Sequence, residues 1–352
     1  MAARGAVLGV VASLCAALTA CVPAQPVATV PRPLSEMEVA LHSHVAVLAS
    51  DEFAGREVES IGEGLTLDYL QAEFAAAGLK SGTHDPGNAW REPFSYEHQG
   101  RTIRTHNLIA RLPGAEPQAG AVLLIAHWDH LGYGARCKRA GDDKVCNGAV
   151  DNASGLAMMI EIARALAKGP QPERDIYFLA SGGEEDGLRG ALSFVADPPV
   201  PLEKFVAVFN LDTEGVAPPG APVVVLATPG PATVGALMSL VSATARDEGV
   251  TLVPPDEGNR KYLKRQDGWA FDAEGIPAVI ISAAFAQQNR LRDYMRHRYH
   301  RANDDVAGVE LGAAADMVGF HVALLQRAAN PAMLPRAVTA AAGRTAITAN
   351  AP

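Results

Sequence analysis

The sequence predicts an α/β domain: a central, mostly parallel mixed sheet with helices on both faces. From residue 121 onward, runs that are apolar at every position alternate with amphipathic segments of helical length. Strands buried on both faces read this way, and alternation with helices stacks them in parallel. Residues suited to metal binding and proton transfer follow directly on three of the runs, and open α/β sheets build their sites beyond the carboxyl ends of strands. The 352 residues, 48% apolar and 20% charged, suffice for one large domain with a sizeable core.

In chain order, residues 1–21 read as an export signal. Arg4 precedes an apolar stretch, Ala6–Ala20, that is short and alanine-rich for a membrane span. Leu18-Thr19-Ala20-Cys21 resembles a bacterial lipobox, with Cys21 as lipidated mature N-terminus; the alternative is ordinary secretion with cleavage near Val22-Pro23-Ala24. Valine after Cys21 favours the outer membrane, so the expected location is the periplasm, anchored by lipid. Residues 22–34, rich in Pro and Ala, read as a linker. Residues 35–328 form the expected domain and 329–352 a disordered tail.

Within the domain, residues 34–79 read as helical, with Leu70, Phe74 and Leu79 at helical spacing. The strand candidates are Val122–Ala126, Ile176–Ala180, Phe205–Leu211, Val223–Ala227 and Ala278–Ser282. The helix candidates between and after them are Ser154–Ala167, Leu188–Ala196, Ala232–Glu248 and Gly308–Ala328.

Net charge is -9 and no basic run stands out, which argues against nucleic acid and against adhesion to anionic membranes. Any membrane attachment would run through the lipid anchor. No feature specifies an oligomeric state. Beyond Cys15 and Cys21 the chain has Cys137 and Cys146. Export favours a disulfide between them; a zinc knuckle would need a second Cys or His pair nearby.

His127 and Asp129 follow the run 122–126. A carboxylate two residues from a ligating His can orient its ring or hold the backbone turn; alone, the pair would read as a polar surface turn. Asp151 lies between Gly148 and Gly155 ahead of a helix, where it can cap the helix or bridge two ions. Glu184-Glu185 sits in a Gly-rich turn after 176–180. Adjacent carboxylates repel, so they need solvent or a cation; if Glu185 binds metal, Glu184 is free to move a proton. Asp212 ends an apolar run, an unusual place for an uncompensated charge. His300 lies in a basic segment that by itself suggests only surface. His130, His297, His42, His44 and His84 read as structural or exposed.

Taken together, these segments resemble the zinc peptidases of family M28, and the chain is similar to its bacterial aminopeptidases. His-Trp-Asp-His-Leu-Gly at 127–132 resembles their His-Tyr-Asp-His-Leu-Gly. The run 147–155, Glu-Glu-Asp-Gly-Leu-x-Gly at 184–190, Asn210-Leu211-Asp212 and Tyr299-His300 match in order. Asp51–Arg56 and Asn107–Ala110 extend the likeness to about residues 35–328.

The resemblance implies the three-layer zinc-exopeptidase (phosphorylase/hydrolase-like) fold and peptide substrates. It implies two zinc ions, with cobalt or manganese also suited to such ligands. His127, Asp151 and Asp212 would hold one ion, and Asp151, Glu185 and His300 the other. Glu184 would be general base, acting on a water shared by the ions, and Asp129 would support His127. Two departures stand out: Val150 replaces a common Asp, and Gln266-Asp267-Gly268-Trp269-Ala270-Phe271 replaces a Ser-Asp-His segment on the substrate side. Tyr262, Trp269 and Phe271 are candidates for an apolar substrate pocket or for core. Glu214 and Asp267 are candidates for receiving the substrate's ammonium.

The leading expectation is an aminopeptidase. The alternatives on the same site are a glutaminyl-cyclase-like zinc acyltransferase and a carboxypeptidase or other amidohydrolase. The complete ligand set argues against a non-catalytic binding module.

Overall fold

A computed structural model describes residues 1–2, 32–85, 89–227 and 232–336. The leader, Cys21, most of the expected linker and the tail beyond 336 lie outside the described residues. The unit that begins at Leu34 holds every element below.

Two helices come first, α1 (Glu36–Leu48) and α2 (Ile61–Ala76). The expectation of one helical stretch fails at Ala54, Gly55 and Arg56, which take φ of 49°, 61° and 55°. This left-handed turn packs onto the future site: a Cβ on Gly55 would stand 2.2 Å from the Cys146 carbonyl, so only glycine fits. Ser35 caps α1 with a reciprocal capping box through Glu38, satisfying two otherwise orphaned N–H groups.

Then follow β1 (Lys80–Ser81), β2 (Arg91–His98), β3 (Arg101–Leu112), β4 (Ala121–His127), α3 (Ser154–Lys168), β5 (Asp175–Ser181), α4 (Arg189–Ala196) and β6 (Phe205–Asn210). The last third holds β7 (Val223–Ala227), α5 (Ala232–Asp247), β8 (Leu252–Val253), α6 (Gly268–Asp272), β9 (Ala278–Ser282), α7 (Gln288–His297) and α8 (Gly312–Ala328). One sheet runs β1-β3-β5-β4-β6-β9-β7-β8, with β2 paired to β3. The centre, β5-β4-β6-β9, is parallel; β3 and β7 join it antiparallel. The sheet is therefore mixed, parallel at its core and antiparallel at the flanks.

The continuous apolar run of β4 explains its place. Val122, Leu124 and Ala126 pack under α1, α2, α3 and α8. Leu123 and Ile125 face the other way, against α4 and α6 through Phe194 and Phe271. Period-two alternation thus buries every residue of the strand.

The β2–β3 hairpin and α7 carry no such signal. β2 is half-exposed along its length, and α7 buries only Leu291 and Tyr294. Residues 329–336, expected to belong to a disordered tail, are described and packed onto the domain. Leu334 is buried, and its carbonyl and that of Ala328 each accept from Arg174 Nη1 at 2.8 Å. A buried guanidinium needs such acceptors, and they order the segment. Among the described residues no helix is long and apolar enough to cross a membrane.

Candidate metal centre

The carboxyl ends of β4, β5 and β6 deliver the site. His127 is the last residue of β4, Glu184 and Glu185 follow β5, and Asp212 follows β6. Asp151 arrives from the loop ahead of α3, and His300 from the turn after α7.

His127 Nδ1 donates to the Asp129 carbonyl at 3.0 Å. That fixes the tautomer and leaves the Nε2 lone pair for a cation. Nε2 lies 3.2 Å from Asp151 Oδ1 and 3.8 Å from Asp212 Oδ1. His127, Asp151 and Asp212 present ligand atoms within 4.8 Å of one another, and so do His130, Asp151 and Glu185. His300 Nε2 lies beside the second group, 3.1 Å from Glu185 Oε2 and 3.7 Å from Asp151 Oδ2. Asp151 is common to both.

Sequence reasoning left His130 outside this cluster; the structure puts it inside, with Nδ1 2.8 Å from Glu185 Oε1. The available signal was its spacing, three residues after His127 at a strand end.

Asp129 uses its carbonyl for His127 and its carboxylate for the neighbouring turn, accepting the N–H of Glu184 at 3.1 Å and of Glu185 at 3.3 Å. Of the two roles open to it, the carboxylate takes the second, holding the backbone.

Asp151 is positioned from three sides. Asp304 accepts the N–H groups of Val150 and Asp151 at 3.2 and 3.3 Å. Asn152 Nδ2 reaches the Leu211 carbonyl at 2.8 Å, tying the Asp151 loop to the Asp212 loop. Arg56, fully buried, donates to the carbonyls of Trp128, Asn147 and Gly148 at 2.9, 2.5 and 2.9 Å. Burial pushes its pKa down to about 10 while Asp151, Asp304, Asp129 and Glu185 hold it up, so it stays a cation at neutral pH.

The disulfide joins Cys137 and Cys146. The segment around it reaches the site twice. Arg136 donates to the Glu185 carbonyl and to Asp186, and Lys138 N–H donates to the His300 carbonyl at 3.0 Å.

The electrostatics describe a centre of closely spaced, buried carboxylates and imidazoles. Burial would lower the pKa of His127, yet contacts with Asp151 and Asp212 raise it well above its ordinary value. Burial raises Glu184 well above the carboxylate range, against His127, and Asp267, Glu185 and Asp212 push it further. For Glu185, burial is outweighed by His130 and His300, which hold it well below. Buried polar atoms without a hydrogen-bond partner include His130 Nδ1, His300 Nε2 and Glu185 Oε1. Buried polar groups are otherwise almost always paired, and this donor set, imidazole and carboxylate together, suits zinc. The residues fit the ions that the sequence implies.

A cavity of about 1900 Å³ opens over the centre, lined by Asp151, Glu184, Glu185, Asp212 and His300. Tyr262 and Trp269 line its wall. Phe271 does not: it is wholly buried against Phe194. Glu214 and Asp267 are also absent from the lining. Glu214 accepts from Ser282 Oγ at 3.0 Å, and burial raises its pKa well above the usual range. Asp267 sits behind the site on Ser181. Both side chains are buried and stand outside the cavity lining, which does not place them where a substrate ammonium would lie.

The sequence profile described as "Peptidase family M28" matches residues 107–324. A curated relative, the alkaline phosphatase isozyme conversion protein of Escherichia coli (strain K12), is 27% identical over 251 residues, covering 66% of this chain and 68% of that protein. Others are matched over as little as 8% of their length. Among solved structures, a zinc aminopeptidase from Bacillus subtilis superposes with TM-score 0.62 at 14% identity, covering 84% of this chain and 96% of the other. A Porphyromonas gingivalis glutaminyl cyclase does so with TM-score 0.61 at 18% identity, covering 82% and 96%. At such identities the likeness shows the shared three-layer fold.

Proposed function

The chain belongs to peptidase family M28, and from that membership we propose that it is a two-zinc aminopeptidase removing N-terminal residues from peptides, with Glu184 as general base. The observation that carries the reading is the convergence of His127, Asp212, Glu185 and His300 on Asp151, with Glu184 on the cavity side.

Two ions held there would polarise the scissile carbonyl and make an attacking water more acidic. The chain's own residues do the rest. Asp129 grips the backbone of both glutamates, sending Glu185 into the ligand cluster and leaving Glu184 on the cavity floor. The raised proton affinity of Glu184 suits it to take a proton from water and return it to the leaving amine. His127, held through Nδ1 by the Asp129 carbonyl, would present Nε2 to an ion throughout. The walls at Tyr262 and Trp269 would receive the substrate side chain.

We further propose export and lipid anchoring at Cys21. The Cys137–Cys146 disulfide agrees with an oxidising compartment. Membrane fractionation of a Cys21→Ala variant tests this: release into the soluble fraction is expected, and unchanged membrane association contradicts it.

The metal reading is tested by dialysing the protein against a chelator and titrating zinc back. Activity returning with the second equivalent supports it. Full activity in chelated protein overturns it.

A further inference from the structure

His130 is the one imidazole at the centre to which the family resemblance gives no role, and its surroundings are anomalous. The ring is fully buried. Neither nitrogen has a hydrogen-bond partner, although Nδ1 stands 2.8 Å from Glu185 Oε1 and 3.9 Å from Asp151 Oδ2. At 2.8 Å a donor aimed at its acceptor makes a good bond. The contact is therefore side-on: the Nδ1 direction misses the carboxylate oxygen. His300 Nε2 shows the same pattern, 3.1 Å from Glu185 Oε2 yet without a hydrogen-bond partner. Imidazole and carboxylate side by side at this distance without a hydrogen bond are arranged as ligands sharing an ion rather than as groups sharing a proton.

The distances agree. Ligands about 2.0–2.1 Å from one ion stand roughly 3–4 Å from each other, and His130, Asp151 and Glu185 present ligand atoms within 4.8 Å of one another. His130 Nδ1 and His300 Nε2 stand 2.8–3.9 Å from the Glu185 and Asp151 oxygens. The ring cannot easily turn away. A Cβ on Gly148 would meet His130 Cγ at 2.5 Å, so the imidazole lies flat on the Gly148 backbone, and its edge meets the His300 ring at a centroid distance of 5.7 Å.

We propose that His130 is a fourth ligand of the Glu185-side ion, which this chain holds with His130, His300, Glu185 and the shared Asp151. This rests on the two-metal reading and extends it. The two sites then differ in kind: His127 and two carboxylates on one side, two imidazoles and two carboxylates on the other. More nitrogen favours zinc or cobalt over manganese at the Glu185 side.

The test uses metal binding, read apart from activity. Metal-free wild type and His130→Gln are titrated with zinc against a chromophoric chelator, and their thermal midpoints are compared in the metal-free state to establish folding. Two ions are expected in both proteins, with one bound about tenfold or more weakly in the variant. Wild-type affinity for both ions in a folded variant overturns the assignment of His130 alone. Failure of the wild type to bind ions overturns the two-metal reading as well. Should the variant not fold, the cobalt-loaded wild type decides by proton NMR. Paramagnetically shifted ring signals from three histidines support the proposal, and signals from His127 and His300 only overturn it.

Discussion

The carboxylate of Asp129 accepts the backbone N–H of Glu184 at 3.1 Å, and its other oxygen takes that of Glu185 at 3.3 Å. One side chain thus fixes the turn that sends two adjacent, mutually repelling carboxylates to different tasks. Asp129 is itself so buried that its pKa is pushed up to about 7, opposed by His127.

Glu184→Gln removes proton transfer and little else, because the backbone N–H that Asp129 holds remains. The turnover rate is expected to fall by about 10²–10⁴, with both ions retained. Steady-state kinetics with metal analysis on the same sample checks this; lost metal would mean that Glu184 is a ligand.

Arg56 holds the carbonyls of Trp128, Asn147 and Gly148 from beneath the site. Arg56→Met leaves these acceptors and the surrounding carboxylates uncompensated, and a loss of about 3–5 kcal/mol is expected. Arg56→Lys keeps the charge but not the planar fork and should recover only part of it. Denaturant unfolding of the three proteins measures the order; equal stability of wild type and Arg56→Met would refute the role.

Replacing Cys137 and Cys146 by serine together opens a short loop, at a cost of roughly 2–3 kcal/mol. Because the segment around the bridge grips Glu185 through Arg136, next to Cys137, and His300 through Lys138, faster zinc loss to a chelator is expected too. A destabilised variant with unchanged zinc release would leave the disulfide a purely global brace.

His321 lies on α8, far in sequence from the centre, with Nδ1 on the Met317 carbonyl at 2.9 Å and Nε2 unpartnered. Burial lowers its pKa from 6.5 to about 4. Between those values the unfolded chain binds the proton and the folded one does not, so stability rises with pH across the window. The contribution is fully present above 6.5, shrinks as pH falls, and is exhausted below about 4, a span on the order of 3 kcal/mol. His321→Gln should flatten the acid side of the stability curve by about that amount. A parallel curve would mean that burial does not shift the titration of the ring.

Much of the centre is legible in the sequence because ligands sit at the ends of fully apolar runs. The motif order around His127, Asp151, Glu185, Asp212 and His300 is written in the chain itself. The missed parts depend on packing at a distance. Arg56 looks like a surface residue until the left-handed turn at Gly55 buries it. His130 reads as structural because its partner Glu185 is contributed by another strand. The β2–β3 hairpin is half-exposed and carries no apolar run. Phe271, Glu214 and Asp267 are buried whereas Trp269 and Tyr262 line the cavity, a difference set by packing that composition does not encode.

The most direct test of the central claim is a digest of matched peptides, free and N-acetylated, followed by mass spectrometry. Stepwise loss of N-terminal residues from the free peptides only, abolished by chelation, is the expected result. Trimming from the carboxyl end, or loss of ammonia from N-terminal glutamine without shortening, would contradict it.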